Sequence, residues 1–438
     1  MDSELIILIL LILGGVIFLM ATGLPVAFCF LLITVVGAIV FWGHEAGLSL
    51  VVNNIRGSVS KFFLLPLVMF VLLGNVMFFS GMGIRMLDIL AKWLGKLPGR
   101  LALLAVGFCT LFATMSGSQI ATTSMMGTVL TPEMEARGYG KPMSIGSVMG
   151  AGGLAMIIPP SSLAILLAAI AGISVGKILI SGIIPGLIMA FFYAAYIVLR
   201  CWLQPSIAPP YDVAPTPMRE KLVDTARYVI PLGLIVFLVL GLIFFGWATP
   251  TESAVLGAIG SIILAAVYRE LNWEMIKKTV MNTVQTSGAV LLIISASTTF
   301  SQILAYSGAS RGLAEFAVSF PLAPIMIIIA MQILLIFLGM FMGSVPMIMV
   351  TMPIFMPIVT ALEFEPVWFG IMTLINMEMS ATTPPVGMGL FVMKGVAPPD
   401  TTMGDIYKAG LPFLGCDFIT IVLIMAFPPL ALWLPSLM

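Results

Sequence analysis

Residues 116–123 read SGSQIATT and lie inside a long apolar segment, where a membrane helix would normally run without interruption. A second interruption, GMFMGSVP, occupies residues 339–346. Glycine, serine and proline in such places free backbone N–H and carbonyl groups, which only the protein or a ligand can satisfy at membrane depth. A broken element that recurs in both halves of a membrane chain is typical of the binding site of a secondary transporter.

Each interruption is followed by another that contains a proline pair, Pro159-Pro160 in the first half and Pro384-Pro385 in the second. The two pairs lie 225 positions apart in a chain of 438 residues. We therefore predict two structural repeats, residues 1–200 and 228–438, joined by a proline-rich cytoplasmic linker over 201–227. We interpret the four interrupted segments as two re-entrant hairpins, 101–135 and 321–361, and two broken helices, 143–172 and 367–393.

The composition indicates the fold class. The chain is 61% hydrophobic and 9% charged, with a mean hydropathy of +1.17, whereas soluble domains carry about 25% charged residues. Apolar runs of about 18 residues or more recur along the whole chain, so we predict an all-α polytopic membrane protein. It has about ten transmembrane helices plus the two hairpins. The predicted spans are 5–22, 25–43, 61–80, 143–172, 178–200, 228–247, 251–268, 286–306, 367–393 and 411–434.

The distribution of basic residues predicts the orientation. With a periplasmic N-terminus, 15 of the 19 Lys and Arg residues fall on the cytoplasmic side, as the positive-inside rule requires. The exceptions are Arg56, Lys61, Lys177 and Arg311. This topology places the two hairpins on opposite sides of a bacterial inner membrane, so the repeats are predicted to be inverted. A net charge of zero argues against nucleic acid as a partner.

The interrupted segments carry the candidate site. Carbonyl and hydroxyl oxygens suit Na⁺, and the N-termini of half-helices suit anions. The predicted sodium ligands are Ser116, Gly117, Ser118, Gly152, Pro159, Gly339, Gly343, Ser344, Thr382 and Thr383. The predicted substrate ligands are Ser118, Thr122, Ser161, Ser344, Thr383 and Pro384. The competing interpretation is that these are small residues that let helices pack closely.

Other polar residues leave alternatives open. Glu252 is best read as an acid at a helix N-terminus, and Glu378 fits either a cation or proton ligand or a structural acid. Asp417 is read as structural. The 33 Met residues favour packing over soft-metal transport, because Cys and His partners at metal-binding spacing are lacking. The sequence has no G-x-x-x-x-G-K-[ST] loop and no hydrolase arrangement, so neither ATP-driven transport nor enzymatic activity is expected.

Four motifs together resemble one known family. They are SGS with ATT at 116–118 and 121–123, IIPPS at 157–161, GWATPTESA at 246–254 and TPPVG at 383–387. The chain resembles, from end to end, the large membrane subunit of tripartite ATP-independent periplasmic (TRAP) transporters. The resemblance implies an elevator-type importer of organic acids such as dicarboxylates, sialic acids or other sugar acids, coupled to two or more Na⁺ ions. It also implies two partners, a small four-helix membrane subunit and a periplasmic substrate-binding protein.

The chain departs from the family pattern at Gly343, where relatives often carry an acid. The second cation site would then rely on backbone oxygens, the hydroxyls of Ser344, Thr382 and Thr383, or Glu378. Three other functions compete with a binding-protein-dependent importer. They are a stand-alone Na⁺/anion symporter, a channel subunit, and an intramembrane enzyme, for which the sequence offers no convincing catalytic pair.

Overall fold

The computed structural model is helical throughout the part of the chain that it describes, and it contains no strand there. It describes residues 11–12, 14–16, 18–20, 22–60, 64–95, 97, 99–116, 119–209, 217–319, 321–385 and 387–438, without the side chains of residues 26 and 113–116. Half of the predicted span 5–22 therefore falls outside the described residues.

The described residues of the first half form ten α-helices from residue 26 onward. They are α1 Val26–Trp42, α2 His44–Val59, α3 Leu65–Phe79, α4 Met82–Trp93, α5 Arg100–Ser116, α6 Gln119–Ala136, α7 Lys141–Gly153, α8 Ser162–Ala171, α9 Val175–Ser181 and α10 Ile183–Leu203.

Eleven α-helices follow in the part of the chain described after residue 217. They are α11 Met218–Asp224, α12 Ile230–Phe244, α13 Pro250–Val267, α14 Trp273–Tyr306, α15 Ala309–Ser319, α16 Pro324–Gly339, α17 Ser344–Ala361, α18 Pro366–Thr382, α19 Met388–Val396, α20 Met403–Ala426 and α21 Pro429–Leu432.

Both predicted hairpins and both predicted broken helices coincide with pairs of helices separated by a short break. The hairpin 101–135 corresponds to α5 and α6, and 321–361 corresponds to α16 and α17. The broken segment 143–172 corresponds to α7 and α8, and 367–393 corresponds to α18 and α19. The starts of α7 and α18 lie 225 residues apart, like the proline pairs. The order of these helices therefore recurs in the two halves.

Length and apolar composition support membrane crossing. Six stretches of described helix have at least 18 residues and are apolar enough to cross a membrane. They are Val175–Leu203, Met218–Phe244, Pro250–Val267, Trp273–Tyr306, Ser344–Ala361 and Met403–Ala426. Of the helices beside the breaks, Ser344–Ala361 reaches that length, whereas Arg100–Phe112, Ser162–Ala171 and Pro324–Gly339 are shorter apolar helices.

Three helices were missing from the sequence prediction. They are α2, α4 and α15, which mix charged and apolar residues and so give no long apolar run. Helix α4 follows α3 at a bend of 66°. The span predicted at 286–306 is also longer than expected, because α14 begins at Trp273. In the linker, the charged residues from Met218 onward form helix that continues into α12.

Local sequence signals explain where several helices begin. Thr249 accepts a hydrogen bond from the backbone N–H of Glu252, and the Glu252 carboxylate accepts one from the backbone N–H of Thr249. This reciprocal capping box, with Pro250 at the first turn, fixes the start of α13. The interpretation of Glu252 as a helix N-terminal acid is therefore confirmed. Thr402 and Asp405 form the same arrangement at the start of α20.

Two groups of helices can be distinguished by their packing. The broken helices pack on one another and on α20, with α7 contacting α5, α6 and α20, and α18 contacting α16, α17 and α20. The long helices α13 and α14 instead pack against α3, and α14 also packs against α1. We call the first group (α5–α8 and α16–α19) the broken-helix group and α3, α13 and α14 the long-helix group.

Candidate functional site

The tip of the first hairpin lies between the end of α5 at Ser116 and the start of α6 at Gln119. Gly117 and Ser118 fall outside the described residues, as does the side chain of Ser116. The predicted roles of these three residues in sodium or substrate binding therefore stay predictions.

The first broken helix packs closely through two glycines. A Cβ added at Gly152 would lie 2.1 Å from the hydroxyl oxygen of Thr123, and one at Gly153 would lie 1.6 Å from the carboxyl carbon of Glu378. Both positions therefore need glycine for a close approach of α6 and α18 to α7. The Oγ1 atom of Thr123 and the Oε1 atom of Glu378 are buried and have no hydrogen-bond partner among the described residues.

Ser161 is the last residue of the first break, between α7 and α8. Its hydroxyl accepts a hydrogen bond from the backbone N–H of Ala164 at 3.2 Å and donates one to the carbonyl of Met156 at 2.6 Å. It is thus the N-cap of α8 and also ties that helix to the short 3₁₀ turn at Leu154–Met156. Pro159, the predicted sodium ligand in this break, is buried. The Pro159–Pro160 peptide bond is cis, as is Pro384–Pro385.

The tip of the second hairpin runs from Gly339, the last residue of α16, to Ser344, the first residue of α17. A Cβ at Gly339 would lie 2.1 Å from the Cβ of Ser380, so α16 approaches α18 closely here. Gly343 is the N-cap of α17 and has no side chain to accept a hydrogen bond from the first turn. The first N–H groups of α17 are therefore available to a ligand.

Thr382 and Thr383 lie at the end of α18, where the second break begins. Their hydroxyls donate to helix carbonyls, Thr382 to those of Glu378 and Met379 and Thr383 to that of Met379. Because the donated proton points into the helix, the oxygen lone pairs remain free to accept. A Cβ at Gly387 would lie 2.6 Å from the carbonyl oxygen of Ala381 and 2.8 Å from that of Thr383. Both carbonyl groups therefore lie against the backbone at Gly387.

The four broken elements converge on one cavity of about 180 Å³. The described lining residues are Gln119, Ile120, Met156, Ser162, Leu163, Gly343, Ser344, Val345, Pro346, Ala381 and Met388. They include the first residue of each of the helices α6, α8, α17 and α19. Each helix N-terminus carries about half a positive charge, so four of them produce a positive potential without any basic side chain.

Residues 13–430 match the sequence profile of the tripartite ATP-independent periplasmic transporter, DctM component. The chain belongs to the DctM family.

Two relatives and one solved structure illustrate the match. The chain is 32% identical to the C4-dicarboxylate TRAP transporter large permease protein DctM of Pseudomonas aeruginosa, over 85% of this chain and 86% of that one. It is 30% identical to the sialic acid TRAP transporter permease protein SiaT of Haemophilus influenzae, over 87% of this chain and 61% of the longer relative. Among solved structures, the Alcanivorax borkumensis YdaH transporter superposes with a TM-score of 0.64 at 15% identity, covering 90% of this chain and 89% of that one. At that identity the similarity concerns the fold alone.

Only part of the predicted substrate set lines the cavity of this DctM family member. Ser344 does, as does Gly343 from the predicted sodium set. Thr122, Ser161, Thr383 and Pro384 are absent from its described lining, although Ser161 precedes the lining residue Ser162. Thr122 is buried on α6.

Sequence reasoning missed the role of Gln119, which lines the cavity and also links the two halves. Its side-chain amide donates to the Oε2 atom of Glu378 at 2.8 Å, although the two residues are 259 positions apart. Glu378 is fully buried behind Gln119. The only sequence signal was an amide and a carboxylate within otherwise apolar segments. Asp417 accepts a hydrogen bond from the buried hydroxyl of Tyr193, in keeping with the structural role predicted for it.

The basic side chains nearest in sequence to the second hairpin and its partner helix are engaged elsewhere. Arg311 pairs with Glu315 on the same helix, and the Lys394 ammonium donates to the carbonyl of Thr401. The described lining of the cavity contains no Lys, Arg or His. An anion in this cavity would therefore be held by backbone N–H groups, hydroxyls and any co-bound cation.

Proposed function

We propose that this chain is the permease subunit of a Na⁺-coupled, binding-protein-dependent secondary importer of organic acids in a bacterial inner membrane. The observation that supports this most directly is the convergence of four helix N-termini on one cavity. Such a cavity favours a carboxylate, because the first turns of its helices carry N–H groups without an intrahelical acceptor and a positive backbone potential. Membership of the DctM family supports the transporter class.

Sodium would bind beside this anion site. In the second half, the oxygen donors would be the hydroxyls of Ser344, Thr382 and Thr383 with the carbonyl groups at Gly339 and Gly343. In the first half, they would come from Ser116, Gly117, Ser118, Gly152 and Pro159. Two or more Na⁺ ions would offset the carboxylate charge and make cargo binding depend on the cation. No acid is required at Gly343, because hydroxyl and carbonyl oxygens suit this hard cation.

Alternating access would follow from the repeated helix order. We propose that the two halves are inverted repeats, that the broken-helix group moves as an elevator and that the long-helix group belongs to its scaffold. The re-entrant placement of α5–α6 and α16–α17 and the periplasmic N-terminus belong to the same proposal. Partners would be a four-helix small membrane subunit and a periplasmic binding protein. The cargo would belong to the organic acids named for relatives, C4-dicarboxylates and sialic acid, or to other sugar acids.

The test is uptake of labelled organic acids into proteoliposomes that contain the chain and its small subunit. We expect accumulation with an inward Na⁺ gradient and the binding protein, and none when K⁺ replaces Na⁺. Accumulation with Na⁺ but without the binding protein would instead indicate a stand-alone symporter. Absence of gradient-driven uptake with every acid would contradict the proposal.

The site assignment has its own test. Thr383→Val keeps the shape of the side chain but removes an oxygen from the second cation site. The Na⁺ concentration for half-maximal uptake should rise about tenfold, equivalent to about 1.4 kcal/mol of cation binding. The matched control is Thr360→Val, because the Thr360 hydroxyl also donates to a carbonyl four residues earlier, at 2.9 Å, but lies far along α17 from the cavity. Equal Na⁺ dependence in both variants would remove Thr383 from the site.

A further inference from the structure

An apolar groove of about 480 Å³ runs along helix α12 and shares no described lining residue with the cavity between the broken helices. One wall is a face of α12 that includes Leu240 and Phe244, and the facing wall includes Met86 of α4 and Leu111 of α5. No described lining residue has a charged or hydrogen-bonding side chain. We call this feature the α12 groove. It lies between the first hairpin and α12, which packs on α13.

The α12 groove is as long as the helix beside it. Its lining residues on this side run from Val229 to Phe245, a distance of about 24 Å at a rise of about 1.5 Å per residue. Met218–Phe244 is also the least buried of the six stretches long enough to cross a membrane. Half of a bilayer's hydrocarbon core is about 15 Å thick. The groove can therefore hold an acyl chain of one leaflet along its length.

Two glycines make the groove deep and narrow. Gly233 and Gly241 both line it, and a Cβ added at either would meet no atom within 4 Å, so the groove reaches the backbone of α12. A helix about 10 Å across and about 24 Å long has a volume of roughly 1,900 Å³, about four times that of the groove. A thin, flexible chain fits this space, whereas a membrane helix of a partner subunit does not enter it.

Two arginines lie at the end of the groove nearer to the linker. Arg227 is two residues before Val229, and Arg85 directly precedes Met86, and both Val229 and Met86 line the groove. The guanidinium carbons of Arg227 and Arg85 lie 5.5 and 5.8 Å from the ring centre of Tyr228. The same aromatic ring therefore holds both cations beside the apolar groove.

The positive charge at this end is only partly compensated. Arg85 forms an ion pair with Glu270, whereas Arg227 is exposed and has no ion-pair partner among the described residues. Tyr268 donates a hydrogen bond to the backbone carbonyl of Arg227 and so fixes this turn. A guanidinium group binds phosphate with two parallel hydrogen bonds, and tyrosine is enriched at the level of lipid headgroups. The groove thus joins an apolar channel to an unpaired phosphate-binding group.

We propose that the α12 groove binds one anionic phospholipid, with an acyl chain along α12 and the headgroup phosphate at Arg227. Burial of the chain supplies affinity, since every methylene group removed from water or detergent contact adds to it. The arginines supply selectivity, because the ammonium group of a zwitterionic headgroup would be repelled by Arg227 and Arg85. This site needs neither cargo nor Na⁺, so the inference is independent of the proposed function.

The test is native mass spectrometry of the purified permease with its small subunit, titrated in detergent with phosphatidylglycerol or with phosphatidylethanolamine of the same acyl chains. We expect a first, saturable lipid molecule that binds about fivefold more tightly as phosphatidylglycerol, the factor that one basic residue contributes near an anionic headgroup.

Headgroup variants locate the selectivity. Arg227→Gln should abolish the preference for phosphatidylglycerol, and Arg227→Lys should retain part of it, because an ammonium group keeps the charge without the bidentate geometry. The matched control is Lys408→Gln, which removes an exposed charge from α20, a helix outside the lining of the groove. Its preference should stay within twofold of that of the wild type.

Groove variants locate the acyl chain. Gly241→Leu places a side chain in the open space and should weaken binding of both lipids about tenfold, because it displaces methylene groups of the chain. Leucine also favours a helix more than glycine does, so the variant should unfold no lower than the wild type. Gly415→Leu on α20 is the control, since a Cβ there also meets no atom within 4 Å but lies outside the groove.

Three outcomes would overturn the proposal. Equal affinity for the two lipids, or an unchanged preference in Arg227→Gln, would remove the anionic headgroup from this site. Wild-type affinity in Gly241→Leu would remove the chain from the groove. Binding that appears only after the small subunit is removed would mean that this subunit covers the groove. None of these outcomes bears on Na⁺-driven uptake, which tests the proposed function separately.

Discussion

The breaks in the two broken helices, between α7 and α8 and between α18 and α19, occupy corresponding places in the two halves. They differ in burial and in capping. In the first, every residue from Gly152 to Ser161 is buried, and the Ser161 hydroxyl caps the following helix. In the second, Thr383 and Pro384 are half-buried, Pro385 is exposed, and the N-cap of the following helix is Gly387, which has no side chain to cap it. The first break thus satisfies more of its polar groups internally, and the second leaves more of them for water or a ligand.

The contact between Gly153 in the first half and Glu378 in the second is also asymmetric. Gly153 and Glu378 lie 225 residues apart, the offset of the proline pairs, and they touch each other. The space left by the missing side chain at one position is filled by the carboxylate at the other. The recurring order of helices therefore does not make the two halves interchangeable, because complementary residues stand at corresponding positions.

The largest effect is expected from Gly153→Ala. Its Cβ would lie within 1.9 Å of both carboxylate oxygens of Glu378, so α7 and α18 must separate or the carboxylate must leave Gln119. Overpacking and an unpaired buried amide together should cost about 3 kcal/mol of unfolding free energy. Thermal unfolding of the purified protein measures this.

Gly288→Ala is its control. An added Cβ there meets no atom within 4 Å, so stability should be unchanged or slightly higher. Equal stability of the two variants would contradict the close packing of Glu378 on Gly153.

Hydrogen exchange compares the two breaks directly. With Na⁺ and a transported acid, backbone amides around 383–390 should exchange about tenfold more slowly, because a ligand then satisfies groups that the protein leaves open. Amides at 152–162 should change less, since that break is already buried and capped. A larger change in the first break would reverse the comparison.

A smaller effect is expected from Ser161→Ala. Loss of a buried N-cap should lower the unfolding free energy by about 1 kcal/mol. Ser174 caps α9 from an exposed position with a longer hydrogen bond of 3.4 Å, so Ser174→Ala should cost less. Equal losses in the two variants would mean that burial of the Ser161 cap adds nothing to the first break.

The smallest effect concerns the ion pairs between the halves at the end remote from the breaks. Lys141, at the start of α7, lies 2.7 Å from Asp400 and 3.8 Å from Asp405. The hydrogen bond from Lys141 holds the pKa of Asp400 below its usual range. The stabilisation is therefore present at neutral pH and lost as the pH falls through the lowered pKa of the folded state.

Asp400→Asn should remove that part of the acid sensitivity and lower the unfolding temperature slightly at low salt only, since exposed ion pairs are weak and screened. Unfolding temperatures measured between pH 7 and pH 3, at low and high salt, check this. An unchanged acid sensitivity in the variant would assign it to other groups.

The sequence was informative where local chemistry sets the structure. Proline pairs and Ser-Gly runs in apolar segments located all four breaks, and the reading of Glu252 as a helix N-terminal acid agrees with the start of α13. It was uninformative for amphipathic helices such as α4, because charged residues such as Arg85 and Asp88 interrupt the long apolar run that indicates a membrane span. Contacts across the halves, such as Gln119 with Glu378, depend on tertiary packing and leave no local pattern.

The cavity of four helix N-termini has a consequence for mutagenesis. Most of its affinity for an anion would come from peptide groups, which every amino acid shares except proline, which lacks the N–H. A conventional alanine scan would therefore return mild phenotypes at the centre of the site and stronger ones at its edges. Backbone-directed changes, such as amide-to-ester replacement at Ser344 or Val345, would identify the residues that the scan overlooks.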